Sequence, residues 1–248
     1  RKITTVDVHA HCAVPAVLDI VKGTALEQPA RRQLDGRLGF PVQAERVADM
    51  NQDGIDVQVL SINAFWYGAE RDLARRIFDL QSVKLAEICK YSPGRFLGYA
   101  PVSLQFPELA AEQLEQGMKQ LALVGAAIGG SVEGEEIAAP RFDPFWKKAE
   151  ELQALVFIHP QTAPQSTGIA KRVQGSGALG NVIGNPLETS LALAHLIFQG
   201  TLDRFPKVKI CAAHGGGFLP SYAARMDHGC SVFPENCKGP ALKKKPSE

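Results

Sequence analysis

Val6-Asp7-Val8-His9-Ala10-His11, near the start of the chain, is a short alternating run that ends on two histidines two residues apart. Alternation marks a β-strand, on which residues i and i+2 project from the same face. The same form returns twice: Val156-Phe157-Ile158-His159-Pro160 and Cys211-Ala212-Ala213-His214-Gly215-Gly216-Gly217 are β-rich runs that each close on a histidine. Outward from these, strands are expected at Thr4 to His9, Val57 to Ser61, Phe96 to Pro101, Gly125 to Gly129, Leu155 to His159 and Val208 to Ala213. Helices with apolar residues at three- and four-residue intervals fall between them, near Gln43 to Asn51, Glu70 to Ser92, Glu108 to Leu121, Pro144 to Leu152 and Leu187 to Gln199. Pro93-Gly94 stops the second helix, and Asp143-Pro144 is expected to cap and open the fourth.

Strands alternating with helices predict an α/β fold with a parallel sheet and helices outside it. The chain has 248 residues, enough for one (β/α)8 barrel of the TIM type, and 1–248 reads as a single domain. Six units are visible where a closed barrel needs eight. About two C-terminal units are therefore expected beyond Glu248, and the stretch from Cys237, with Lys243, Lys244 and Lys245, reads as a connector. Lys22 to Phe40 and Gln161 to Asn185 are long enough to be lids or substrate loops at the catalytic face, or simply surface loops.

Composition narrows the function. With 45% hydrophobic and 21% charged residues the chain is globular. Its 27 basic against 26 acidic residues lack the basic excess of a nucleic-acid binder. No apolar run approaches the roughly 20 residues of a membrane span, and no leader pattern precedes the first strand, so a cytoplasmic location is expected. The five cysteines, Cys12, Cys89, Cys211, Cys230 and Cys237, are odd in number and irregularly spaced, and read as reduced thiols.

Four of the six histidines, His9, His11, His159 and His214, fall at the ends of expected strands. In a parallel barrel those ends open on one side, where imidazoles can accept a divalent metal. His195 reads as a partly exposed helix residue and His228 as a helix-end or supporting group.

These features resemble the amidohydrolase superfamily, in the branch of aminocarboxymuconate-semialdehyde decarboxylase and related non-oxidative decarboxylases of aromatic acids. The resemblance runs from the H-x-H start through Asp49 to Ser61, Gly94-Arg95-Phe96-Leu97-Gly98, Phe157-Ile158-His159-Pro160, Asn185-Pro186-Leu187-Glu188-Thr189, and Leu202 to Pro220. It implies that His9, His11 and His159 bind one metal, zinc or in some members manganese. The remaining family ligand, an aspartate on the eighth strand, would lie beyond the sequence. Binuclear members carry a bridging lysine or acid on the fourth strand, whereas Leu123 to Gly130 is apolar or glycine, so one metal is implied. His214 is then left for acid/base work, for which an imidazole is suited. By the same resemblance Arg37 binds the substrate carboxylate, and Arg225 enters the active site of the neighbouring subunit of a homodimer. Phe65 and Trp66 follow the second strand and could line a flat pocket or simply pack beneath a loop.

The expected activity is metal-dependent decarboxylation of a small unsaturated or aromatic carboxylic acid. A hydrolase or hydratase acting on a lactone or enoic acid uses the same equipment, because fold does not decide reaction, and an inactive metal-binding scaffold is the alternative of another class. Muconate-type decarboxylases read His-Pro-Trp where this chain has His159-Pro160-Gln161, which points away from that particular substrate.

Overall fold

The alternating run at the start of the chain forms strand β1 (Val6–His11), whose pairing begins where Val6 meets Val57. The computed structural model describes residues 3–34, 42, 44–63, 65–161, 171–237 and 242–248, and the chain divides into two units, Arg1–Ala127 and Ile128–Glu248.

In the first unit β1 is followed by helices α1 (Val17–Val21), α2 (Glu27–Leu34) and α3 (Ala44–Gln52), then by strand β2 (Val57–Ser61). Part of the stretch expected as a long loop is therefore helical, with an ion pair between Glu27 and Arg31 at i and i+4 on the surface of α2. The rest of that loop, Arg37 included, lies outside the described residues. Helix α4 (Arg71–Cys89) starts on Glu70, whose carboxylate accepts from the amides of Asp72 and Leu73. Its buried stripe of Ala74, Ile77, Phe78, Gln81, Ser82, Leu85 and Ala86 keeps the helical spacing seen in the sequence. Strands β3 (Phe96–Gly98) and β4 (Ala100–Pro101) precede α5 (Pro107–Gln120) and β5 (Gly125–Ile128). β1, β2 and β3 form one parallel sheet in that order, and β4 pairs parallel to β5.

The second unit opens on the antiparallel hairpin β6 (Ser131–Val132) and β7 (Glu135–Glu136), which the sequence did not suggest, and continues into α6 (Asp143–Glu151). Asp143 does not cap that helix. Arg204 donates to both of its carboxylate oxygens, at 3.1 and 2.8 Å, and ties α6 to the short helix at Thr201–Arg204. Strand β8 (Leu155–Ile158) is followed by α7 (Asn185–Phe198), α8 (Thr201–Arg204), β9 (Lys209–Ala212) and α9 (Leu219–Val232). β8 and β9 pair parallel from Leu155↔Lys209 to Ile158↔Ala212. Much of the second expected loop, residues 162–170, lies outside the described residues. Its end is a π-helical turn, Gly180–Gly184, that runs into α7.

The expectation of five reduced thiols is corrected: Cys230 and Cys237 form a disulfide, while Cys12, Cys89 and Cys211 are free. The turn after α9 brings the two Cα atoms to 5.5 Å, within disulfide range. No helix among the described residues is long and apolar enough to cross a membrane.

Candidate metal centre

The first pair of histidines is set by the junction of β1 and β2. The ladder is regular at Val6 and Asp7, shifts register, and resumes at Ala10↔Leu60 and His11↔Ser61. At the irregularity the Asp7 carboxylate takes up what the ladder does not, accepting from the His9 amide at 3.0 Å and from Gln58 Nε2 at 3.0 Å. Gln58 Oε1 in turn accepts from Arg46 Nε at 2.8 Å, and Arg46 Nη1 donates to the His11 carbonyl at 2.9 Å. The backbone carrying both imidazoles is thus held by hydrogen bonds on each side of the bulge. The two rings meet edge to face, with Nε2 to Nε2 at 3.1 Å. His11 Nδ1 lies 3.1 Å from Ser61 Oγ, and His11 Nε2 lies 3.3 Å from Asn63 Nδ2.

Beyond β2 the chain turns through Phe65, Trp66 and Tyr67, all buried. Phe65 is fully enclosed and stacks on Tyr67 with ring centroids 5.6 Å apart, so it supports the corner from beneath. Trp66 lines a cavity together with His11, Cys12, Asn63 and Gln81. It sits at a left-handed φ of 47°, and its buried Nε1 has no hydrogen-bond partner among the described residues. Both features cost free energy, and such costs gather at functional sites. Burial pushes the neighbouring Cys12 thiol up to about 12, which leaves it protonated and makes it a packing residue.

In the second unit, His159 follows the last residue of β8. Its amide donates to the Ile128 carbonyl at 2.9 Å, and its Nδ1 lies 2.8 Å from the Pro160 carbonyl. A carbonyl can only accept, so the ring proton is on Nδ1 and the lone pair is on Nε2. His214 stands just past β9, edge-on to His159 with ring centroids 5.3 Å apart, and the two offer ligand nitrogens within 4.8 Å of each other. His214 occupies a left-handed φ of 56° at the head of the glycine turn. That turn docks on α7: a Cβ on Gly217 would lie 2.1 Å from the Pro186 carbonyl oxygen, so only glycine fits, and Ser190 Oγ accepts from the Phe218 amide at 2.7 Å. Burial lowers the His214 pKa, so the ring is neutral at neutral pH.

The remaining residues are placed as follows. Arg225 is exposed on α9, and His228 is exposed on the same helix. His195, on α7, bonds Gln199 at 2.8 Å and lies 3.5 Å from Glu136 at the end of the β6–β7 hairpin. Sequence reasoning passed over three residues. Ser61 and Asn63 follow from the pairing of β1 with β2, which single-sequence periodicity does not give. Glu188, in the quoted Asn185 to Thr189 stretch, is a buried carboxyl beside Gly130 that accepts from Ser131 Oγ at 3.4 Å. An acidic residue at a helical position otherwise occupied by core residues was the available signal.

The sequence model of the amidohydrolase family matches residues 6–237. The chain is 31% identical over 216 residues to 2-amino-3-carboxymuconate-6-semialdehyde decarboxylase of Dictyostelium discoideum, over 84% of this chain and 59% of that one. It therefore spans less than two thirds of that relative's length. The structure of 5-carboxyvanillate decarboxylase from Sphingomonas paucimobilis superposes with a TM-score of 0.85 at 25% identity, covering 99% of this chain and 78% of the other. Dihydroxybenzoic acid decarboxylase from Polaromonas sp. JS666, solved with manganese and the inhibitor 2-nitroresorcinol, gives a TM-score of 0.80 at 28% identity, covering 99% and 75%.

Proposed function

This chain belongs to the amidohydrolase family, with that family's α/β fold class, and on that premise we propose that it is a metal-dependent non-oxidative decarboxylase of a small unsaturated or aromatic carboxylic acid. The observation that carries the reading is the imidazole pair at the tip of β1. Two ring nitrogens 3.1 Å apart repel unless a proton or a cation lies between their lone pairs. The donor set fits such an ion: neutral imidazoles are the commonest metal ligands, and His159 carries its lone pair on Nε2. His9, His11 and His159 would hold one divalent ion, zinc with manganese as the alternative. The ion supplies positive charge that stabilises the anion developing as the carbon–carbon bond breaks.

His214, neutral at rest, would take up a proton from solvent and pass it to the substrate carbon as CO2 leaves, so that one proton replaces the carboxylate. A ring with a lowered pKa, once protonated, is a stronger acid than an exposed imidazolium and gives up its proton more readily. Arg37 and Arg225 anchor the substrate carboxylate by charge-assisted, two-pronged contacts, Arg225 reaching the partner subunit of a homodimer. Trp66 and Phe65 would contribute apolar surface to the substrate pocket, Trp66 from the wall of the cavity it shares with His11. A cytoplasmic enzyme acting on a soluble carboxylate fits this reading.

The test is to incubate the full-length, metal-loaded protein with a panel of aromatic and unsaturated carboxylates and of lactones, following CO2 against hydrolysis products. Release of CO2 with the decarboxylated product is expected. Hydrolysis or hydration without CO2 would move the chain to the other reaction class, and silence across the panel with metal bound would favour a scaffold.

A further inference from the structure

The last residue of β2 has a chemical environment that none of the functional assignments uses. Ser61 is fully buried and is the register partner of His11 across the parallel pair. Its Oγ lies 3.1 Å from His11 Nδ1, 3.0 Å from Asn63 Oδ1 and 3.3 Å from the Ala10 carbonyl oxygen. A hydroxyl has one proton to give. Two of these three neighbours are oxygens that only accept, and giving the proton to His11 would leave Oγ lone pairs facing both of them, so the proton goes to an oxygen and an Oγ lone pair faces His11. Nδ1 must then carry the hydrogen. The other end of the ring agrees, because Asn63 Nδ2, which can only donate, lies 3.3 Å from His11 Nε2. With the Asn63 amide oriented as it stands, the loop of contacts runs from His11 Nδ1–H to Ser61 Oγ, from Ser61 O–H to Asn63 Oδ1, and from Asn63 Nδ2–H to His11 Nε2.

We infer that Ser61, through Asn63, is a positioning residue that locks His11 in its Nδ1–H tautomer and so presents the Nε2 lone pair as a ready-made metal donor. The inference rests on the metal reading given above. It makes the two histidines of H-x-H unequal. In the metal-free chain His11 Nε2 accepts, so His9 Nε2, 3.1 Å away, is the donor. His9 must therefore shift its proton to Nδ1 before it can bind an ion through Nε2, whereas His11 is already prepared. Asn63 caps the prepared lone pair and gives way when an ion takes it.

Two measurements on the full chain decide this. Nitrogen-15 NMR of the histidine rings in the metal-free protein should show His11 protonated at Nδ1, and Ser61→Ala should convert it to a mixture of tautomers. Competition with a chelator should then show Ser61→Ala binding manganese and zinc roughly 10- to 100-fold more weakly than wild type, the usual range for removing an outer-sphere partner. A wild-type His11 protonated at Nε2, or a folded Ser61→Ala protein with wild-type affinity, would overturn the assignment. A wild-type chain that binds neither ion would sink the metal reading instead, and the tautomer of His11 would still decide the role of Ser61 because that measurement needs no metal.

Discussion

Replacing Glu188 with glutamine should remove part of the pH dependence of folding stability. The side chain is only 8% exposed, packed against Gly130 on the inner side of α7. Burial, reinforced by the charge of Glu136 and opposed by the Ser131 hydrogen bond, raises its pKa from 4.5 to about 7. A carboxyl displaced upward in the fold is favoured there in its protonated form. Its contribution is therefore full below the ordinary value of 4.5 and is lost as pH rises through about 7. At about 1.4 kcal/mol per tenfold change in protonation, the complete loss is bounded at about 3 kcal/mol. Solvent screening at a site near the surface reduces this, and a change of about 1 to 2 kcal/mol between about pH 5 and about pH 8.5 is expected. Glutamine cannot ionise and keeps the oxygen that accepts from Ser131, so the variant should lack this component while retaining the contact. Urea unfolding of both proteins at the two pH values measures it as a double difference, in which titrating groups that do not interact with Glu188 cancel and the coupled response of Glu136 is included. Wild type should lose about 1 to 2 kcal/mol more than Glu188→Gln on going to the higher pH. Parallel pH profiles for the two proteins would refute the claim that a buried, reluctant carboxyl sits at this position.

Two further outcomes separate the roles of the histidines and test assembly. His214→Ala should keep one equivalent of metal and lose roughly 100- to 10,000-fold in turnover, whereas His159→Ala should lose the metal itself; metal analysis with single-turnover assays distinguishes them, and an emptied but folded His214→Ala protein would make His214 a ligand. Mixing inactive Arg225→Ala with inactive His214→Ala subunits should restore part of the activity, because one site per hybrid dimer then has both groups intact, and an active monomer or a silent hybrid would rule out donation between subunits.

Strand positions were legible because largely buried runs such as Leu155–Ile158 and Gly125–Ile128 are short, apolar and bounded by turn residues. β1 was read two residues early because Thr4 and Thr5 have strand propensity but face solvent, while the ladder begins at Val6↔Val57. Helix α9 escaped the reading although Leu219, Tyr222 and Met226 lie on one face, because none of its residues is buried among the described residues and polar residues, glycine and proline interrupt the stripe. The four strand-end histidines were visible as residues, and their approach within each pair was visible for His9 and His11, where β-strand alternation suffices. What could not be read was Asp143 turning to Arg204, Cys230 meeting Cys237, or Ser61 beneath His11. Each depends on a partner brought near by the fold, and local periodicity contains no information about such partners.

The contact of Gly217 with Pro186 divides the chain into parts an engineer can vary and parts that must be kept. Any side chain at 217 collides with a backbone carbonyl, which cannot rotate aside as a flexible side chain would, so relief has to come from moving the His214 turn or the start of α7. A library that randomises 214–217 would therefore be filled with misplaced His214 rings.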